Sequence, residues 1–454
     1  MQRTAQPSPN RPPGRHRLRW PPPTESWDVR AVLERAERTD PTLAAAHLGA
    51  ALFWCAAAGL SPAFNSIAFA ALMVTSLLRL WSLRSLVGTL LLHPVSLSLL
   101  ALTGWLVLGV FWTPDREEWF DEAGALRILL VLPALWPLVR TREALAWAIV
   151  VGVNIQNLFQ LAQHFDLLER DASNVMRHAG LGGHPGHVTT WACAALLLTV
   201  ALVGGRSLSR SAVAAVALSA GLSILGVVLA AGRAPILAFG PALLVTLVCL
   251  ALFHRARILR SRSLRPVLAT AALFVVLVGA VAALGGWSSL NWQVSSLGFG
   301  ASPSGSVGQR LVWWSAAREL AREHPIRGLG LAGFEDEVAR TNAVISAIAG
   351  SGDPAVASHL KAAHPHSVYL ALLVDAGVIG LALFGLTIIA TATSALRVAQ
   401  REPLGAALLG ILVLWLLCAA FESLHLNGST LGLLVTVMAF ATMPDIARST
   451  ARGD

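Results

Sequence analysis

Residues 211–253 read SAVAAVALSAGLSILGVVLAAGRAPILAFGPALLVTLVCLALF. One charge, Arg233, stands between two apolar runs, 211–231 and 234–253. Each run is about the length a helix needs to cross a hydrocarbon core of ~30 Å. Only helices and closed barrels satisfy their backbone polar groups in lipid, so the pair reads as two spans joined by a tight turn.

Further runs of this kind lie on both sides, near 43–60, 62–79, 94–112, 124–139, 143–163, 186–204, 266–285, 367–394, 403–421 and 428–444. The expectation is an all-α polytopic membrane protein of about twelve transmembrane helices. Of 454 residues, 55% are hydrophobic and 13% charged, about half the charged fraction of a soluble domain. The net charge of +9 would suggest nucleic acid in a soluble chain. Here the arginines sit between apolar runs, so no nucleic-acid partner is expected. With both termini cytoplasmic, Arg79/Arg84, Arg140/Arg142, Arg206/Arg210, Arg255–Arg265, Arg397/Arg401 and Arg448/Arg452 all fall on the cytoplasmic side. The expected organisation follows: a basic Pro/Arg-rich tail over 1–42, helices 1–9 over 43–285, a large non-cytoplasmic loop over 286–366, helices 10–12 over 367–446, and a tail over 447–454. Within the first tail, Val29, Leu33 and Ala36 suit a short interfacial helix around 26–38, and a disordered tail fits the composition equally well. The four cysteines all lie in apolar runs without CxxC spacing, and read as small core residues.

Inside the large loop, Ser306-Val307-Gly308-Gln309 has the S-x-x-Q form of a capping box and predicts a helix from about Val307. Trp313, Ala316 and Leu320 supply its apolar face through about Glu323, His324-Pro325 ends it, and a second helix is expected from about Phe334.

Several polar residues on the non-cytoplasmic side are candidates for chemistry. Arg233, with almost no loop around it, offers a fixed cation at the membrane surface, although snorkelling to headgroups would also explain it. Arg310 falls in the first turn of the loop helix, where free N–H groups already favour an anion and an arginine improves the site. His364-Pro365-His366-Ser367 stands where the loop re-enters the membrane. A histidine there is largely neutral at pH 7 and able to act as a general base. Two histidines flanking a proline also hint at a metal, with no third ligand in register. Arg177, His178, His184 and His187 share the Gly-rich stretch RHAGLGGHPGH. Gly328–Gly333 matches G-x-G-x-x-G but follows a helix with no strand before it, so a nucleotide site is rejected. Asp115, Glu117 and Glu118 form an acidic loop able to hold a divalent cation only with a second acidic partner. Without one, a solvated loop following the orientation rule accounts for them.

These pieces together resemble the O-antigen ligase and polymerase superfamily of bacterial envelope proteins. His366-Ser367, followed after nine residues by Gly377-Val378-Ile379-Gly380, is similar to the family's H-[NSQ]-x9-G pattern. HPIRGLGLAGF, from His324 to Phe334, resembles its P-x-x-G-x-G-x-x-x-F signature. Arg310, Trp313 and Ala316 match R-x-x-W-x-x-A. AAGRAP resembles the short Ser-Arg-Gly turn, with Gly232 for the serine and Ala234 for the glycine. RHAGLGGHP resembles an R-x-x-G and Asn/His-Pro segment.

The resemblance implies an O-antigen ligase of the bacterial inner membrane with a periplasmic active site. Glycan would pass from an undecaprenyl pyrophosphate donor to a lipid A–core acceptor. Arg233 and Arg310 would hold the pyrophosphate, His366 would deprotonate the acceptor hydroxyl, and Arg177 and His364 would add to the lining. No cofactor and no metal is implied, since the arginines supply the positive charge, and direct displacement inverts the anomeric centre. An O-antigen polymerase and a protein O-oligosaccharyltransferase share these features and differ in the acceptor. A transporter is the reading from another class. Arg127, Asn154, Gln156 and Gln160 are its candidate buried polar positions, but the remaining charges collect at one surface.

Overall fold

A computed structural model describes residues 28–168, 179–181, 184–204, 208–260, 306–352, 354–361, 364–424 and 428–443. Helices make up the fold, with no β-strand among the described residues. In chain order they are α1 (Asp28–Thr39), α2 (Pro41–Ala57), α3 (Pro62–Leu91), α4 (Pro94–Leu108), α5 (Arg116–Ala123), α6 (Val131–Leu135), α7 (Arg142–His164), α8 (Pro185–Val203), α9 (Arg210–Ala230) and α10 (Arg233–Arg260). After the 261–305 interval come α11 (Ser306–Glu323), α12 (Gly333–Val338), α13 (Asn342–Ser351), α14 (Pro354–Lys361), α15 (Val368–Ala399), α16 (Pro403–Ala419) and α17 (Gly428–Thr442).

Among the described residues, seven helical stretches are long and apolar enough to cross a membrane: Pro62–Leu91, Pro94–Phe111, Arg116–His164, Pro185–Val203, Arg210–Ala230, Arg233–Ala256 and Val368–Ala399. Their outward faces suit lipid and not water. Trp81 is 76% exposed on α3 and Leu237 73% exposed on α10, among other large apolar side chains. Three of the twelve expected runs are shorter helices, α2 and α16 of 17 residues and α17 of 15. The run at 266–285 lies outside the described residues. The run at 124–139 departs from expectation. It is a chain of 3-10 turns (Gly124–Leu130, Trp136–Thr141) around the five-residue α6, kinked at Leu138. Pro133 and Pro137 each remove an N–H from the α-helical ladder here.

The helix expected from Val307 to about Glu323 runs Ser306–Glu323, and the next begins at Gly333, one residue before Phe334. Around 26–38 the sequence left a short interfacial helix and a disordered tail equally open. The observed α1 packs on the bundle, with Leu33 and Ala36 buried and Glu34 and Glu37 paired with Arg140.

Helix ends meet in two groups. In one, Arg142 at the start of α7 donates to both carboxylate oxygens of Glu402 before α16, at 2.7 Å each, and to Phe440 O at 3.1 Å. His254 of α10 reaches Ala399 O in the same group, at 2.7 Å. In the other, Ser429 beside the start of α17 bonds Ala58 O after α2 and accepts from Trp191 of α8. The central helix is α8, buried along nearly its whole length and packed on α7, α9, α10 and α16.

The broken helix α15 positions the loop. Gly377 sits at φ +65°, ψ −169°, inside an otherwise helical run. That conformation is open to glycine almost alone. The break frees backbone groups on both sides, and each finds a partner. Leu329 and Gly330 donate to Val374 O and Asp375 O at 2.8 Å, while Val378 donates to Pro325 O at 2.9 Å. Trp105 Nε1 of α4 donates to Ala376 O at 2.8 Å. The two glycine motifs, GLGLAG and GVIG, are thus halves of one joint that clamps the loop onto α15. A Cβ on Gly377 would overlap the Ile326 carbonyl, and one on Gly328 would overlap the Asp375 backbone. Gly377→Ala is expected to destabilise the fold by about 2–4 kcal/mol, through strain plus loss of these bonds. Thermal unfolding of the detergent-solubilised variant measures this, and an unchanged midpoint would contradict the clamp.

Candidate functional site

At the α8 end of the bundle the loop and three turns converge. Ala231 (φ +49°) ends α9 in the left-handed region, Gly232 follows, and half-buried Arg233 opens α10. Gly232 N donates to Thr189 Oγ1 at 3.0 Å, and a Cβ there would lie 3.0 Å from Gly186 Cα. The AAGRAP turn is therefore pressed against the first turn of α8. This close approach accounts for glycine at the position where the family pattern has serine.

Gly186 links that turn to the next partner, since a Cβ on it would come 3.9 Å from Glu422 Oε1. Glu422 follows α16 and its carboxylate takes the guanidinium of Arg310, NH2 to Oε1, at 3.4 Å. His184 and His187 lie beside Gly186 with ring centroids 4.5 Å apart. Arg310 and Trp313 are three residues apart on α11, hence on one face of it. The buried Trp313 ring stacks on His366, with centroids 5.1 Å apart and planes 27° apart. Next to it, Trp314 Nε1 donates to Pro365 O at 2.9 Å. His366 itself occupies φ +46°, unusual for a residue other than glycine, and the two tryptophans brace the turn that holds it there. One short helix thus presents an arginine and a stacked histidine together, with the Arg233 turn reached through Glu422 and Gly186.

Of the residues singled out from sequence, Arg233, Arg310, His366, His184 and His187 fall in this neighbourhood. Arg177 and His178 lie outside the described residues. His364 turns to a different neighbourhood, where Nδ1 meets the Glu335 carboxylate. Glu422 was missed from sequence. Its signal was available, for it is the lone acid between Glu402 and Asp445 and closes an apolar run.

His364 leads into a second cluster. The acidic loop does have the acidic partner that sequence proximity did not show. Glu122, Glu335 and His364 place one ligand atom each within 4.8 Å of one another, and so do Asp115, Glu118 and Asp336. Burial pushes the Asp336 carboxyl up to about 6, helped by its hydrogen bond and charge contact with Glu118 and the charge of Asp115. Burial also raises Glu335, beside Asp336, and lowers His364.

The stretch that matches a known family covers both glycine motifs together with Arg233, Arg310 and His366. Residues 218–385 match the O-Antigen ligase family model. The match supports the O-antigen ligase and polymerase superfamily for this chain, and with it a glycan-transferring enzyme of that general kind. A comparison with curated proteins finds no significant match. The matched stretch runs from within α9 through the Arg233 turn, α11 and the clamp to the middle of α15. Apolar helices and the O-antigen ligase match together describe a multi-pass membrane protein.

Proposed function

We propose that this chain is an O-antigen ligase, transferring glycan from undecaprenyl pyrophosphate to lipid A–core at the periplasmic face of the inner membrane. The observation that supports it most directly is the placement of Arg310 and the Trp313-stacked His366 on one face of α11. A neutral imidazole and fixed guanidinium charges meet the two needs of this reaction. In the proposed step, a ring nitrogen of His366 takes the proton from the acceptor hydroxyl. The acceptor oxygen then bonds to the anomeric carbon as the bond from that carbon to the pyrophosphate oxygen breaks. Arg310 and Arg233 hold the departing pyrophosphate charge, and the helix starts at Pro185 and Arg233 add partial positive charge. The step needs no metal ion, and attack opposite the leaving group inverts the anomeric centre. Periplasmic orientation rests on the arginine distribution between the runs.

Polymerase and protein-glycosylating activities remain readings of the same chemistry with other acceptors. The lipopolysaccharide gel profile of a strain lacking the gene, with the lipid-linked glycan pool measured in parallel, separates them. The expected result is bare lipid A–core with polymer accumulating on undecaprenyl pyrophosphate. Core carrying one repeat unit would mean a polymerase, and an unchanged profile would remove the ligase reading altogether.

A further inference from the structure

The two neighbouring clusters, Glu122/Glu335/His364 and Asp115/Glu118/Asp336, gather carboxylates from two separate parts of the chain, the 115–122 stretch and α12. Among the described residues no arginine forms an ion pair with any of them. Like charges this close oppose the fold unless something neutralises them.

A separate observation comes from α15. Asp375 is 7% exposed, and its Oδ1 has no hydrogen-bond partner. Its carboxylate takes a backbone hydrogen bond from Phe334, interacts with Glu122, Glu335 and Asp336, and lines the same cavity as Glu122. A buried carboxylate oxygen left bare is costly if nothing meets it. The charged groups that act on it are the carboxylates of Glu122, Glu335 and Asp336, and a carboxylate can only accept unless it is protonated. What is lacking there is a cation.

We propose that Glu122, Glu335 and His364, backed by Asp375, form a binding site for a hard divalent cation such as calcium or magnesium. The donor set is oxygen-rich with a single imidazole, which suits hard ions over zinc or copper. All four cysteines are buried, and none belongs to either triad. Asp115 is exposed and Glu118 and Asp336 are half-buried, so the outer triad gives the ion a path inward from solvent. The ion fastens α12 and the 364–366 turn to the start of the 116–164 helical stretch. Its role is to hold the loop in place, two residues before His366, and not to take part in glycan transfer. Binding is therefore read on the purified chain without donor or acceptor, and stands or falls apart from the ligase reading.

The test uses full-length protein in detergent, stripped with EDTA and dialysed at pH 7.5. Calorimetric titration with calcium chloride and then magnesium chloride measures binding, and thermal unfolding is followed with and without the ion. Saturable binding near ~10⁻⁴–10⁻³ M, typical of extracellular calcium modules, and a rise in unfolding temperature are expected. In Glu335→Gln both responses disappear, while the ion-free variant unfolds no lower than ion-free wild type because one repulsive charge is gone. That second reading separates a lost site from a damaged fold. Asp115→Asn, at an exposed position, should weaken binding severalfold. The proposal is overturned if wild type binds neither ion at about 10 mM, or if Glu335→Gln binds as wild type does. It is also overturned if acidification to about pH 5 stabilises the stripped protein while neither ion does, because the carboxylates then share protons alone.

Discussion

His366→Ala protein, folded and inserted normally, is expected to transfer glycan at least ~10²-fold more slowly than wild type, within the ~10²–10⁴ range of a positioned general base. Donor should accumulate while binding to it persists, because the base acts on the acceptor and not on the pyrophosphate. The backbone at this position calls for a second variant. At φ +46° an alanine carries some strain, whereas asparagine enters the left-handed region readily but has no basic nitrogen. His366→Asn is therefore expected to be as inactive as His366→Ala. Recovery of activity in the asparagine variant would show that the turn's shape matters and the imidazole's proton does not. Trp313 makes a further point about geometry. Its ring lies against His366, so imidazole orientation is fixed by α11, the same helix that carries Arg310. Base and anion binder move together.

Much of this arrangement is written in short-range patterns. The capping box at Ser306 and the Pro after His324 bound α11 to within a residue. The Gly328–Gly333 stretch was separable from a nucleotide loop by its context, a preceding helix. Why it carries its glycines was not visible until Gly377 was seen to meet it, since the two are distant in sequence and joined by backbone hydrogen bonds that no local pattern announces. The acid cluster was hidden for the same reason. Glu118 and Asp336 are far apart in the chain, and nothing local to Asp115–Glu122 announces α12. Asp375 did carry a local signal as the lone charge in its apolar run. The run at 124–139 misled because hydropathy counts apolar residues and takes no account of what Pro133 and Pro137 do to the helical ladder. Periodicity reports the solvent a segment meets. Which segments meet each other depends on contacts of high sequence separation.

Arg310→Ala is expected to lower kcat by about 10²–10³, the scale on which removing one preorganised charge-stabilising group acts. The partition between kcat and KM carries the argument. Charge on the pyrophosphate oxygen grows as the anomeric bond breaks, so a guanidinium placed for the leaving group contributes more in the transition state than to the bound donor. A rise in KM with kcat unchanged would reduce Arg310 to a donor-holding residue. Arg310→Lys should recover part of the loss, because a point charge remains while the planar two-donor fork does not. Glu422 bears on the same number. Its carboxylate now takes the Arg310 guanidinium at 3.4 Å, in a site 28% exposed on the arginine side and 16% on the glutamate side. A pyrophosphate must compete with that contact or share the guanidinium with it. Glu422→Gln keeps a hydrogen-bond acceptor and removes the competing charge, so donor affinity should rise while Arg310 loses some of its fixed aim. An arginine substitution without effect on either constant would leave α11 with no part in pyrophosphate chemistry, and the ligase mechanism would then have to rest on Arg233 alone.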